Sequence, residues 1–572
     1  MLCAACVASA ANYLTFTAEE DGSTFVIVHK REGGNIPDVQ YSLDGGETWS
    51  ALIRANSITL VHKGDKALLR GNNPEGFSSK YNYINFSMTG KIAASGSVMS
   101  LIDDTGETLV IPADYCFYAL FAGCTGLTQA PELPATTLAE YCYLYMFNGC
   151  TSLTQAPELS ATTLSDGCYA EMFYGCTSLT QAPELPATTL TEECYFDMFS
   201  DCTGLTQAPE LPATTLAGGC YSNMFSGCVG LTRSPQLPAT TLAEDCYYYM
   251  FYGCTSLTQA PELPATTLAE DCYLGMFSDC TSLTQSPELP ATTLAKYCYL
   301  YMFEGCTSLT QAPELPDTTL AEGCYSFMFS GCTSLTQAPE LPATKLAEDC
   351  YWKMFAGCTS LTQAPELPAT TLADGCYLGM FQGCTSLTQA PELQAATLAQ
   401  GCYESMFSHC ASLTEAPELP ATTLATDCYK GMFDGCTSLS EIQVSFSDWG
   451  SDSWTGSWVE DVAPTGTFYC PKALPLEYRK SRIPKGWTVQ YLDGSTVEYV
   501  NVNTTLADNI SVWTDDLTVY VRGAEGEVSL YDLSGKRVAV SVSADEERAL
   551  SVPAKGVYVV RTNGGSSVVL VR

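Results

Sequence analysis

The stretch that decides the fold runs from residue 254 to residue 279 and reads CTSLTQAPELPATTLAEDCYLGMFSD. The pattern recurs every 26 residues through the centre of the chain. One cysteine series falls at residues 124, 150, 176 and onward to 436, and a second runs from 116, 142 and 168 to 428. Of the 29 cysteines, only Cys3, Cys6 and Cys470 lie outside these two series. Such a tandem array predicts a solenoid, in which each unit packs mainly against its neighbours.

The first half of each unit has the character of a short strand. Apolar side chains recur at every third position, at Cys150, Leu153, Ala156 and Leu159. Pro157 cannot donate a ladder hydrogen bond, so the predicted parallel strand is limited to about Leu153 to Ala156.

The second half of each unit has the character of a helix. Thr137 to Glu140 has the spacing of a capping box, and Gly149 suits a C-terminal stop. Apolar side chains follow at intervals of four, at Leu138, Cys142, Met146 and Cys150. The sequence therefore predicts an α/β solenoid of 12 to 13 units, each a short parallel strand plus a helix, flanked by small β domains.

Regions outside the array read as β structure. Residues 13–106 carry strand patterns at Thr24–Val28 and on either side of an Asp-Gly turn within Val39–Trp49, and they would cap the first unit. Residues 107–442 form the array, and the Trp-rich residues 443–494 are expected to cap its other end. Residues 495–572 alternate Val and Leu with Gly turns, which predicts a β-sandwich. Its strand candidates are Val528–Val538, read as a hairpin, Gly556–Arg561 and Val568–Val571.

Charge and composition exclude several classes of function. The chain has 63 acidic and 25 basic residues, a net charge of -38, which argues against binding to nucleic acid or to an anionic membrane. No apolar run is long enough for a transmembrane helix. The three histidines are scattered, and no phosphate loop or nucleophile elbow occurs. We therefore expect no enzyme activity, no cofactor and no metal site.

The units differ most at positions equivalent to 140, 141, 144, 145 and 148, on the face opposite the apolar stripe. The candidate partner-binding residues on this face are Tyr145, Phe196, Tyr248, Tyr249, Tyr301, Phe327, Trp352 and Lys353. Exposed aromatic side chains suit a protein or glycan contact, although drift at solvent positions explains the same pattern. The nearly constant columns at Thr154 and Gln155 offer a second, repetitive face, and the sequence does not decide between the two.

Two charged features each allow two interpretations. The glutamate column (Glu132, Glu158 and their equivalents) is either a solvated row or a weak calcium site. The basic cluster in the C-terminal cap is either a solvated surface or a docking surface. That cluster comprises Lys472, Arg479, Lys480, Arg482 and Lys485.

At least the cysteine column that contains Cys142 is expected to consist of buried, reduced thiols, whereas the Cys150 column, near the tighter strand edge, is the possible exception. Cys142 and Cys150 would lie about 12 Å apart on one helical stripe, beyond the reach of a disulfide.

The motif GCTSLTQAPELP, followed by a segment that ends in MF-x-GC, resembles the leucine-rich repeats of BspA-like bacterial surface proteins, although the unit is longer and has Met-Phe where Ala-Phe is usual. The resemblance implies an extended parallel sheet and a cell-surface role, and we expect the protein to be a monomer. It would adhere to host matrix proteins, host cells or other bacteria. Capture of glycans for nutrient uptake is the alternative.

The C-terminal motifs YDL-x-G-[KR]-x-V and GVY-x-V-R resemble the sorting domain of type IX secretion substrates, which implies passage to the exterior of the outer membrane. Residues 1–12 contain Ala8-Ser9-Ala10 and are similar to the end of a signal peptide. Lipidation at Cys3 or Cys6 is the weaker alternative.

Overall fold

The structure is a computed structural model, and the part of the chain that it describes forms two compact units, Met1–Leu387 and Thr388–Arg572. The signal-peptide prediction falls largely on residues 1–10, which lie outside the described residues. The structure describes residues 11–29, 37–54, 56–315, 319–495, 510–515, 517–542, 547–563 and 565–571.

The first unit begins with two β-sheets, which are antiparallel except for one parallel pair of strands. The strands are β1 (Leu14–Ala18), β2 (Ser23–His29), β3 (Gln40–Ser42), β4 (Ser50–Ala51), β5 (Ile58–Leu60), β6 (Lys66–Arg70), β7 (Ile84–Thr89) and β8 (Ile92–Ser95). A four-residue helix, α1 (Ser100–Asp103), and β9 (Leu127–Gln129) follow. One sheet has the order β4-β3-β6-β1-β8-β9 and the other β5-β2-β7. Phe16 joins their cores, because its ring lies 5.1 Å from the rings of both Phe25 and Phe86.

These sheets close the open end of the repeat array. Strand β8 pairs in parallel with β9, which belongs to the first repeat. The backbone N–H groups of Ser78 and Phe86 donate to carbonyls of the first repeat, those of Cys116 and Leu120, at 2.8 Å in both cases. Carbonyls that a preceding repeat would otherwise bind are thereby satisfied.

The second half of each repeat forms a continuous series of tight turns, which we call the turn ribbon; residues 245–254 are a typical example. The N–H of every second residue from Asp245 to Gly253 donates to a carbonyl 25 residues later. In the ribbons of the first compact unit, these hydrogen bonds measure 2.7–3.3 Å. The residues between donate to the carbonyl three residues before, as Tyr248 does to Asp245. Every fourth residue is left-handed, with φ of 55° at Asp245, 46° at Tyr249 and 66° at Gly253.

The predicted helix per repeat is therefore wrong, and so is the α/β solenoid built on it. No helix follows Thr137–Glu140, because the left-handed residues Tyr141, Tyr145 and Gly149 interrupt any right-handed turn. Half of the N–H groups bind the next repeat instead of a carbonyl four residues back. Within the described residues, the only α-helix is α1, and no helix is long and apolar enough to cross a membrane.

The ribbons bury residues in pairs. In the ribbon of residues 141–150, Cys142 and Tyr143 point inward, as do Met146 and Phe147, and the two residues after each pair are only partly covered. Stacked repeats turn these positions into columns. From Tyr143 to Tyr377, adjacent tyrosine rings lie 5.7–5.9 Å apart, and from Phe121 to Phe381 adjacent phenylalanine rings lie 5.5–5.8 Å apart.

Both cysteine columns are buried as free thiols, so the predicted burial is confirmed. The Cys150 thiol donates to the carbonyl of Phe121, and its equivalents repeat this bond at 3.0–3.2 Å. Burial raises the pKa of Cys124 and Cys176 to about 12, which keeps both in the protonated form.

The first half of each repeat is extended but seldom paired. The predicted strand at Leu153–Ala156 is absent, although β9 occupies the equivalent place in the first repeat. Isolated parallel bridges, such as Gln181 to Gln207 and Thr189 to Thr215, mark the stacking of neighbours. The turn ribbons, not the strands, carry the regular hydrogen bonds between repeats.

The second unit contains the last repeats, a parallel sheet and a sandwich. Strands β10 (Glu441–Gln443), β11 (Thr467–Cys470) and β12 (Thr488–Tyr491) pair in that order, all in parallel. Trp458 is fully buried and packs against Tyr429 and Phe433 at 6.3 and 6.0 Å, so it ends both aromatic columns of this unit.

The last seven strands form two antiparallel sheets around one apolar core. They are β13 (Ser511–Asp515), β14 (Thr518–Arg522), β15 (Val528–Asp532), β16 (Arg537–Ser541), β17 (Glu547–Ser551), β18 (Gly556–Thr562) and β19 (Gly565–Val571). The sheet orders are β13-β14-β17 and β16-β15-β18-β19. Val519, Leu530 and Val560 are among the residues of the shared core. The predicted hairpin at Val528–Val538 and both predicted later strands are present.

Candidate functional site

The variable positions of the repeats lie on the outer surface of the turn ribbons, which we call the outward face. Leu144 and Tyr145 follow one buried pair, and Asn148 and Gly149 follow the next. Because the ribbon repeats every four residues, these columns stay in line from one repeat to the next. The positions that vary between repeats are thus aligned on one surface, although a ribbon and not a helix presents them.

All eight predicted contact residues are partly exposed on this face. Three rings are in contact: Tyr301 and Phe327 at 4.8 Å, and Phe327 and Trp352 at 4.8 Å in an edge contact with an angle of 67° between the ring planes. The ammonium of Lys353 lies 5.5 Å from the centre of the Phe327 ring. We call Tyr301, Phe327, Trp352 and Lys353 the aromatic cluster.

The other four predicted residues occupy separate places. Tyr248 and Tyr249 are in edge contact at 4.8 Å. Tyr145 packs against the ring of Tyr118 at 5.8 Å. Phe196 is half-buried and lies in an earlier repeat, away from the other predicted residues. The structure therefore concentrates half of the predicted set in one cluster and distributes the rest along the face.

The side chains of residues with a left-handed backbone lie against the next repeat, often directly over a glycine. The ring of Tyr249 lies over Gly275, so closely that a β-carbon at residue 275 would overlap it. The ring of Tyr297 lies over Gly323 in the same way, and the stem of Lys353 over Gly379. Glycine in these columns thus holds the preceding side chain flat against the surface. Prediction from sequence did not identify this role, although the recurrence of glycine at some of the left-handed positions was its signal.

Three residues near Tyr249 were not predicted. Tyr252 is 41% exposed, and its ring lies 5.4 Å from that of Tyr249. The charge of Asp279, followed by burial and by the hydrogen bond that the Tyr252 hydroxyl donates to Asp279, raises the pKa of Tyr252. Glu304 is half-buried, and burial together with the charge of Asp279 raises the pKa of its carboxyl. Tyrosine rings and two carboxylates therefore share one part of the outward face.

A second acidic group lies nearer the start of the array. Burial and the neighbouring charge of Glu171 raise the pKa of Asp197 to about 7, although hydrogen bonds from Ser200 and Asn223 oppose the shift. Burial also raises the pKa of Glu171. The two carboxyls belong to adjacent repeats in the same left-handed column, where stacking forces them together.

The face formed by the first halves of the repeats is polar and open. Thr154, Gln155 and Glu158 are exposed, which fits a solvated glutamate row. Shallow clefts separate neighbouring Pro-Glu-Leu-Pro segments, as between Ala260–Pro264 and Pro287–Pro290. Within the described residues, no group of three or more His, Cys, Asp or Glu side chains could hold a metal ion.

The basic cluster of the C-terminal cap is largely neutralised. Arg479 pairs with Asp452 at 3.0 Å, and Lys480 with Glu460 at 3.2 Å. Lys472 pairs with Asp493 at 2.8 Å. Arg482 is buried, pairs with Asp452 and lies 5.1 Å from the centre of the Trp449 ring. Because these cations have partners within the cap, the cluster is not an open basic surface.

Comparisons with known proteins concern the repeats. A family profile described as "BspA type Leucine rich repeat region" matches residues 167–287, 221–312, 270–380 and 353–457, together about half of the chain. No curated protein matches the chain. A crystal structure of a leucine-rich repeat protein from Bacteroides ovatus ATCC 8483 is 19% identical, and the alignment covers 73% of this chain and 97% of that chain. Its TM-score is 0.42, too low to support an argument from that structure.

Proposed function

The chain belongs to the family of BspA-type leucine-rich repeat proteins, and from this we propose that it is a non-catalytic repeat protein that binds other proteins at the cell surface. The partners are matrix proteins or surface proteins of host cells or of other bacteria. Catalysis needs unlike groups that converge, whereas the columns of this array repeat like groups. That arrangement supports binding by extended contact.

The observation that carries the proposal is the aromatic cluster on the outward face. Tyr301, Phe327 and Trp352 form an unbroken chain of ring contacts across adjacent repeats. Aromatic side chains of this kind contribute most of the energy at many protein interfaces. The indole N–H of Trp352 is buried and has no hydrogen-bond partner within the described part of the protein, so the exposed part of its ring would make the contact with a partner.

Binding to a panel of immobilised matrix proteins, measured beside a glycan array, tests this proposal. The double variant Phe327→Ala, Trp352→Ala should weaken binding to the recognised protein by about tenfold or more. The control double variant Leu43→Ala, Tyr81→Ala removes two exposed apolar side chains outside the repeats and should bind as the unchanged chain does. Binding to glycans alone would favour the alternative of glycan capture, and equal binding by both double variants would refute the assignment of the surface.

Export to the exterior of the outer membrane completes the proposal. The motifs similar to type IX sorting domains form the β15–β16 hairpin and β18 of the C-terminal sandwich. Such a compact terminal sandwich supports a role as an export signal separate from the repeats. Deletion of residues 495–572 should leave folded repeats in the periplasm. Undiminished surface labelling of the truncated chain would contradict this part of the proposal.

A further inference from the structure

The residues Tyr248, Tyr249, Tyr252, Asp279 and Glu304 form a surface that we call the tyrosine–carboxylate site. The three rings are in successive edge contacts at 4.8 and 5.4 Å. Asp279 and Glu304 are joined through the backbone, since the N–H of Asp279 donates to the carbonyl of Glu304 at 2.7 Å. Both carboxylates act electrostatically on Tyr252.

This site has no cation of its own. Within the described residues, no lysine or arginine lies over the three rings or forms an ion pair with Asp279 or Glu304. The negative charge is therefore uncompensated, and it is held beside ring faces that attract cations. Because Glu304 is half-buried, water stabilises its negative charge less well than a bound cation would.

The same protein already binds one of its own cations with these components. The ammonium of Lys296 lies 4.8 Å from the centre of the Tyr297 ring and 2.9 Å from Oε1 of Glu322. The Tyr297 hydroxyl donates to that same oxygen at 2.9 Å. Tyr297 leans over Gly323 as Tyr249 leans over Gly275. The tyrosine–carboxylate site has the same components, tyrosine rings and carboxylates, without a lysine, although there the hydroxyl that bonds a carboxylate belongs to Tyr252 and not to the ring that lies over the glycine.

We propose that the tyrosine–carboxylate site binds a cationic side chain, an arginine, presented by a polypeptide partner. The planar guanidinium can stack on a tyrosine ring and donate two parallel hydrogen bonds to one carboxylate, a fork geometry that the ammonium of lysine lacks. The net charge of -38 would draw a basic segment to the surface before the specific contact forms. This inference rests on the proposed function and names the chemistry that one part of the outward face recognises.

Titration calorimetry of the full chain in 150 mM salt with a decapeptide of alternating glycine and arginine tests the proposal. Binding should weaken about five- to tenfold in the double variant Tyr249→Ala, Tyr252→Ala, and by a similar factor in the single variant Glu304→Gln. The matching peptide with citrulline, which keeps the shape but lacks the charge, should not bind. The lysine peptide should bind more weakly than the arginine peptide.

Two controls separate the site from general attraction between opposite charges. Glu262→Gln removes one exposed carboxylate from the other face and should leave the dissociation constant within twofold. Tyr249→Phe keeps the ring and should also stay within twofold, which assigns the loss in the alanine variant to the missing ring and not to the missing hydroxyl. No binding of the arginine peptide, or an equal loss in Glu262→Gln, would overturn the proposal.

Failure of this inference differs from failure of the proposed function. Suppose that binding to a matrix protein is lost in the double variant Phe327→Ala, Trp352→Ala but is unaffected by Glu304→Gln. That result would support the proposed function and refute the arginine site. Specific arginine-peptide binding without any protein partner in the panel would keep the site and refute the function.

Discussion

Gly275→Ala should destabilise the array more than Gly253→Ala, because only Gly275 supports a neighbouring ring. Both glycines are left-handed, with φ of 58° and 66°, so either substitution costs about 1–2 kcal/mol in backbone energy. At residue 253 the new β-carbon would meet only ordinary contacts, 4.0 Å from Gly227. At residue 275 it would lie 2.7 Å from Cζ of Tyr249, so the ring must leave its position.

Displacing the Tyr249 ring adds about 1 kcal/mol, the usual cost of an unfavourable rotamer, so the total for Gly275→Ala is about 2–3 kcal/mol. Urea unfolding followed by far-UV circular dichroism measures the difference between the two variants, provided that the slopes of the transitions agree. The arginine peptide should also bind more weakly to Gly275→Ala. Equal midpoints for both variants would refute the claim that glycine at residue 275 positions Tyr249.

Three further predictions concern the array. Deletion of residues 202–253, two whole repeats, should leave the rest folded, with the circular dichroism per residue unchanged; global loss of structure would show that repeats do not act as nearest-neighbour units. A maleimide reagent should count few thiols in the native chain and about a dozen or more after unfolding without reductant, whereas none in either state would reveal disulfides. Asp197→Asn should raise the urea midpoint at pH 8. Because the pKa of Asp197 is raised to about 7 in the folded chain, its neutral form is favoured there, so the advantage of the variant should shrink as the pH falls from 7 towards 4, and a gap independent of pH would contradict the shift.

The sequence predicted the array, the inward columns of cysteine and methionine and the alignment of the variable positions, because each depends only on spacing, but it did not predict the buried columns that contain Tyr143 and Phe147. Cys142 and Met146 are buried whether a helix or a ribbon carries them. The predicted helix was wrong because the spacing of the apolar residues does not match the helical period. A strict interval of four residues turns a helix by about 400°, so the stripe from Leu138 to Cys150 would drift around the axis by about 40° at every step. The ribbon has no such drift.

The tyrosine–carboxylate site could not be predicted, because it depends on which way left-handed side chains lean. In a helix, Tyr249 would contact residues within its own repeat. In the ribbon it extends onto Gly275 of the next repeat and is brought near Glu304. The recurrence of Gly167, Gly219 and Gly275 in left-handed columns was the available signal. This recurrence can be interpreted only once the turn ribbon is known.

Hydroxyl-radical footprinting of the native chain, read by mass spectrometry across residues 246–253, tests the central claim most directly. The claim is that a ribbon buries two of every four residues and presents the other two on its outer surface. Tyr248, Tyr249 and Tyr252 should be oxidised, whereas Tyr247 and Phe251, which are at most 1% exposed, should be protected. Oxidation of Tyr247 as strong as that of Tyr248 would contradict the ribbon and the binding surface built on it.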